Sequence, residues 1–74
     1  MEEIGLIEVT VNGESRTIPE GNNIVELLQL LGVPADRVAV ELNRAIVRKP
    51  DWASTLVAAG SKIEIVHFVG GGRA

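Results

Sequence analysis

Only one stretch of this chain repeats its apolar residues with a helical period, and that limits the fold more than any other feature. Ile24, Leu27, Leu28 and Leu31 fall at i, i+3, i+4 and i+7, which is one face of a helix. Asn23 and Glu26 stand at capping-box spacing, with a side-chain acceptor at the N-cap and a carboxylate three residues on. Gly32 sits where glycine ends a helix, and Pro34 prevents its resumption. With a single helix, only one face of a sheet can be covered. The other face must be solvated or must meet a partner.

The remaining apolar residues alternate with a period of two, as half-buried strands do. Ile7, Val9 and Val11 share one face, with Glu8 and Thr10 on the other. Asn12-Gly13 predicts a tight hairpin turn, because both residues tolerate positive φ. Glu14 to Ile18 forms the return strand, stopped by Pro19 and Gly21. Val38, Val40 and Leu42 mark a third strand, and Ile46-Val47 a short edge strand closed by Arg48-Lys49-Pro50-Asp51. The segment from Trp52 to Val57 reads as a loop or one helical turn that lays the indole over the core. Lys62 to Phe68 is the last strand, with Ile63 and Ile65 alternating with Glu64. The order β-β-α-β-(β)-β in one unit predicts a two-layer α+β domain, with a four- to five-stranded sheet and one main helix on one face.

The chain has 74 residues and no cysteine, so neither a disulfide nor a thiolate–metal site can supplement the core. Hydrophobic residues make up 46% and aromatics 3%, so the core must be aliphatic, with Trp52 and Phe68 the only large rings. A formal charge of −3 argues against nucleic acid, whose binding rests on a basic face. No apolar run approaches the roughly 20 residues that span a bilayer. Met1-Glu2-Glu3 lacks the basic and apolar regions of a signal peptide, which makes the cytoplasm the expected compartment.

Three consecutive glycines, Gly70, Gly71 and Gly72, follow the last strand, and only Arg73-Ala74 come after them. Glycine has no Cβ and almost no width, so such a tail can thread a narrow channel and present its own carboxyl group. Taken alone, the triglycine fits a frayed terminus equally well. A phosphate-binding loop does not fit, because it needs a following helix and a Lys-Ser/Thr pair. His67 is the lone histidine, and with no cysteine it makes a poor metal site, so it reads as a partly exposed strand residue. Val66 and Phe68 share a face with Glu64, opposite Ile63 and Ile65, and suit a partner or neighbouring strands about equally, with Phe68 favoured for the interface. Arg44, Arg48 and Lys49 read as solvated surface, Trp52 as a structural lid, and Asn12 and Asn43 as turn residues.

The element order, with a last strand running into glycines, resembles the ubiquitin-like β-grasp fold. Val11-Asn12-Gly13-Glu14, Leu42-Asn43 followed by Ile46-Val47, Trp52, and above all Glu64-Ile65-Val66-His67-Phe68-Val69-Gly70-Gly71-Gly72 resemble the ThiS family of sulfur carriers in thiamin biosynthesis. The resemblance spans residues 6–72. It implies that residues 1–69 form the β-grasp domain and residues 70–74 a flexible tail, with the first and last strands parallel at the sheet's centre. It further implies a co-substrate, not an enzyme. Gly72 would be the adenylation and thiocarboxylate site, Gly70 and Gly71 the flexible tail, and Phe68 and Val66 the docking residues.

The implied partners are a ThiF-type adenylating enzyme that uses ATP and magnesium, a cysteine desulfurase or other sulfur donor, and thiazole synthase. No cofactor would be bound by this chain. The family's pattern ends in glycine, whereas Arg73-Ala74 follow here. Three accounts of that pair are open: a protease trims it, it is a foreign remnant, or this copy serves another purpose. Trimming is favoured, because an arginine after glycines is an accessible cleavage point. Rival readings are a carrier feeding molybdopterin or cysteine synthesis, and a ubiquitin-like interaction module with no use for a free glycine terminus.

Overall fold

The computed structural model describes residues 5–68. Strand β1 (Leu6–Val11) turns into β2 (Glu14–Pro19) through Asn12 and Gly13, at φ 50° and 83°. Two successive positive φ values make the mirror-image turn that matches strand twist, and Asn-Gly is the pair that adopts it with least strain. The return strand runs one residue further than the alternation predicts, because Pro19 pairs with Leu6. Proline is tolerated there since β2 lies at the sheet's edge, where an N–H is dispensable.

Helix α1 covers Ile24–Leu31 and begins with both halves of the capping box. The Glu26 N–H donates to Asn23 Oδ1 at 2.8 Å, and the Asn23 N–H donates to Glu26 Oε1 at 3.0 Å. Gly32 closes the helix at φ 72°, its N–H directed at the carbonyl of Gln29. Ile24, Leu27 and Leu28 are buried beneath the helix, each contributing about 1.5–3 kcal/mol. Replacing Asn23 by Ala removes the cap and the Asn23 Nδ2 bond to the Ala53 carbonyl. We expect a loss of about 1 kcal/mol, read as a melting temperature lower by roughly 4–8 °C. Asn23→Asp, which keeps the acceptor, should lose clearly less.

After the helix the chain makes a single 3-10 turn, Ala35–Arg37, which the sequence reading does not anticipate. It then enters β3 (Val38–Leu42) and the short β4 (Ala45–Val47). The ambiguous segment after β4 resolves as a 3-10 helix, Lys49–Ser54, and seats Trp52 at 3% exposure. The indole N–H donates to the Val47 carbonyl at 2.8 Å, which satisfies the ring's one polar group in the interior. Residues 55–57 then run along the start of α1, with Ile24 N–H on the Thr55 carbonyl and Val57 N–H on that of Asn22. Strand β5 (Lys62–His67) is the last element among the described residues.

The sheet order is β2-β1-β5-β3-β4. Strand β5 is therefore central, parallel to β1 and antiparallel to β3. Ile7, Val9 and Val11 of β1, Ile18 of β2, Val38 and Val40 of β3, and Ile63 and Ile65 of β5 face the helix. This is a ubiquitin-like β-grasp, with one helix packed on one face of a mixed five-stranded sheet. The opposite face carries no layer among the described residues. No helix among them is long and apolar enough to cross a membrane.

Candidate functional site

The end of β5 is the root of the glycine segment, and its neighbours follow from the register. Ile63 and Ile65 point into the core, so Glu64, Val66 and Phe68 point away from the helix. Val66 is 54% exposed and Phe68 59%. Ala39 lies opposite Val66, Glu41 opposite Glu64, and Ile46 opposite Glu41 on the edge strand. Ile46 is exposed as well, so apolar side chains frame two facing carboxylates on the open sheet face. Like charges directly opposite across a ladder destabilise the free sheet. Their cost is modest here because water screens both groups.

Phe68 lies one residue beyond the strand, which ends at His67, yet its N–H still donates to the Arg37 carbonyl at 2.8 Å. Its backbone is thus held in the sheet while its ring stays in solvent. The two residues singled out for docking, Val66 and Phe68, are brought together on the same exposed surface. Val69, Gly70, Gly71, Gly72, Arg73 and Ala74 lie outside the described residues.

His67 has the parity of Ile63 and Ile65 and pairs with the buried Val38, but is itself exposed. It borders a shallow groove of about 270 Å³ on the helix side, floored by Leu31, Val33 and Ile65 and edged by Asn12 and Arg16. Arg16 lies 3.7 Å from Glu14 in an exposed pair, which contributes little to stability. Among the described residues no group of three His, Cys, Asp or Glu is placed to hold a metal ion. Lys49 lies with its Nζ 6.0 Å from the centroid of the Trp52 ring, which ties one member of the basic group to the indole lid.

Two residues read only as turn formers do more than turn the chain. Asn12 Oδ1 accepts from the Ile65 N–H at 2.7 Å, and its Nδ2 donates to the Ile65 carbonyl at 3.3 Å. Asn43, at φ 52°, accepts from the Lys62 N–H at 2.8 Å. The central strand is therefore held near both ends by asparagine side chains from tight turns. Asparagine tolerates positive φ and carries an amide, and that pairing of properties was the available signal.

The sequence model of the ThiS family matches residues 9–72, a span that includes the three glycines. Among solved structures, the crystal structure of the thiamine biosynthesis protein ThiS from Geobacter metallireducens is 37% identical, with a TM-score of 0.76, covering 89% of this chain and all of that one. A solution structure of a thiamine biosynthesis protein from the same organism is 35% identical, with a TM-score of 0.72, covering 92% of this chain and 91% of the other. A thiazole synthase of Paramagnetospirillum magneticum is 42% identical over 66 residues, which are 89% of this chain but 20% of that protein. The chain thus spans about a fifth of the thiazole synthases it matches. A match across most of its length, together with the shared fold, shows that the chain belongs to the ThiS family.

Proposed function

We propose that this chain is a sulfur carrier for thiamin biosynthesis, acting as a cytoplasmic co-substrate of partner enzymes. The observation that carries the reading is the family match running through residue 72, glycines included, on a fold that anchors their root in the central strand. With Arg73-Ala74 removed, the Gly72 carboxylate is the reacting group. A carboxylate resists sulfur nucleophiles because its oxygen is a poor leaving group. A ThiF-type enzyme with ATP and magnesium joins that oxygen to the α-phosphorus, and pyrophosphate departs. The terminal sulfur of a donor persulfide then attacks the acyl carbon and expels AMP. A thiol cleaves the resulting acyl disulfide, leaving a disulfide on the donor side and a thiocarboxylate on Gly72.

No side chain of the carrier takes part in that sequence. The carrier supplies a narrow tail, a rigid root, and a docking surface at Val66 and Phe68. Thiazole synthase is the proposed recipient. Support comes from the thiazole synthases that contain a segment similar to this chain within one polypeptide.

The open sheet face with exposed Val66, Phe68 and Ile46 also fits a second reading, an interaction module that binds through that face alone. Deleting Gly71 through Ala74 separates the two. Under the carrier reading, binding to the adenylating enzyme persists within a few-fold while thiocarboxylate formation is abolished. A module would keep its whole activity. Mass spectrometry of the reaction products and a binding titration check both arms.

A further inference from the structure

We infer that Asn12 is a positioning residue, which holds the end of β5 so that Val66 and Phe68 stand as a preformed docking patch beside the tail's root. The inference rests on the carrier reading above. Strand β1 accompanies β5 only to the Val11–Ile63 pair. The Asn12 N–H still reaches the Ile63 carbonyl, at 2.8 Å, and the chain then turns away at Gly13. The groups of β5 alternate in direction. The Phe68 N–H faces β3, where it meets the Arg37 carbonyl, whereas Ile63 and Ile65 face the side that β1 has left.

Ile65 would therefore lack a neighbour on that side. The Asn12 amide takes the neighbour's place, accepting from the Ile65 N–H at 2.7 Å and donating to its carbonyl at 3.3 Å. A primary amide offers the same acceptor and donor as a peptide group, so the ladder gains one more rung without another strand residue. The position has φ 50°, which excludes most residues able to make such bonds. Without the rung, residues 65–68 are held by β3 alone, at a strand end that is free to fray. A frayed patch must be ordered at every docking event, and that loss of entropy weakens binding.

Asn43 provides the internal control. It makes a comparable single-residue bond to the Lys62 N–H at 2.8 Å, also from a positive φ, at the other end of the same strand. The experiment compares Asn12→Gly with Asn43→Gly, because glycine keeps the turn conformation while removing the side chain. Chains ending at Gly72 are assayed for adenylation by a ThiF-type enzyme with ATP and magnesium, and amide exchange is followed on the free carriers. For Asn12→Gly we expect exchange at Ile65 to quicken by about tenfold or more beyond the change at Val40, whose core amide reports the shared loss of global stability. KM should rise by about tenfold with kcat preserved.

Asn12→Asp retains the acceptor and should keep Ile65 protected. Asn43→Gly should lower stability to a similar extent and leave KM where it was. An unchanged KM in Asn12→Gly, an equal rise in Asn43→Gly, or unaltered exchange at Ile65 overturns the inference. Failure of the unmodified Gly72-ended chain to be adenylated overturns the carrier reading instead, and the hold on β5 is then decided by Ile65 exchange alone.

Discussion

We expect a chain ending at Gly72 to be adenylated by a ThiF-type enzyme, and the same chain carrying Arg73 and Ala74 not to be. The difference is one of bonding. With the extension present, Gly72 contributes an amide carbonyl, whose oxygen cannot attack the α-phosphorus of ATP and leave pyrophosphate behind. The carboxylate of that longer chain belongs to Ala74, two residues beyond Gly72 and bearing a Cβ that a channel narrow enough to select glycine would exclude. Exchange of labelled pyrophosphate into ATP reads the step directly. It should be robust with the shorter chain and fall to background with the longer one. Addition of a protease that removes Arg73-Ala74 should restore it. Equal exchange from both chains would mean that Gly72 is not the reacting residue.

The largest loss of stability is expected at Ile63. Its side chain is fully buried on the central strand, between Val11 of β1 and Leu42 of β3. Removing a buried isoleucine to Ala costs about 2–5 kcal/mol, transfer and cavity terms together. A domain of this size is stable by roughly 4–11 kcal/mol at 0.05–0.15 kcal/mol per residue. Ile63→Ala should therefore lower the melting temperature by roughly 10–30 °C. Urea titration should show a lower midpoint with an unchanged slope. Because β5 carries the tail's root, the same variant at 37 °C should also lose sulfur-accepting activity in proportion to its folded fraction.

Much of this architecture is legible in the sequence because several local signals agree. The capping box at Asn23 and Glu26, the Asn12-Gly13 turn, and the period-two alternation of Val9, Val38, Val40, Ile63 and Ile65 each admit little but the element observed. The single helical face of Ile24, Leu27 and Leu28 then forces a sheet with one open side. The 3-10 turn at Ala35–Arg37 and the extent of Lys49–Ser54 are not legible, since neither has an apolar period of its own. The pairing of β1 with β5 rests on contacts between residues more than fifty positions apart, which no local pattern encodes. The same separation hides the Asn12–Ile65 bonds. As sequence, Asn12 shows a turn and a spare amide, but not which backbone that amide meets.

The exposed placement of Val66 and Phe68 follows from parity alone, once Ile63 and Ile65 are known to be buried. The facing pair of Glu41 and Glu64 does not follow, because it needs the register of β3 against β5. That surface is where the open side of the sheet and the root of the tail coincide. A carrier needs both within reach of one partner.

Intact mass of the untagged protein from its native cells tests the sulfur-carrier account most directly. The account predicts a species ending at Gly72, part of it heavier by about 16 Da through exchange of one carboxylate oxygen for sulfur after acyl activation. A population in which every molecule retains Arg73 and Ala74 would contradict it.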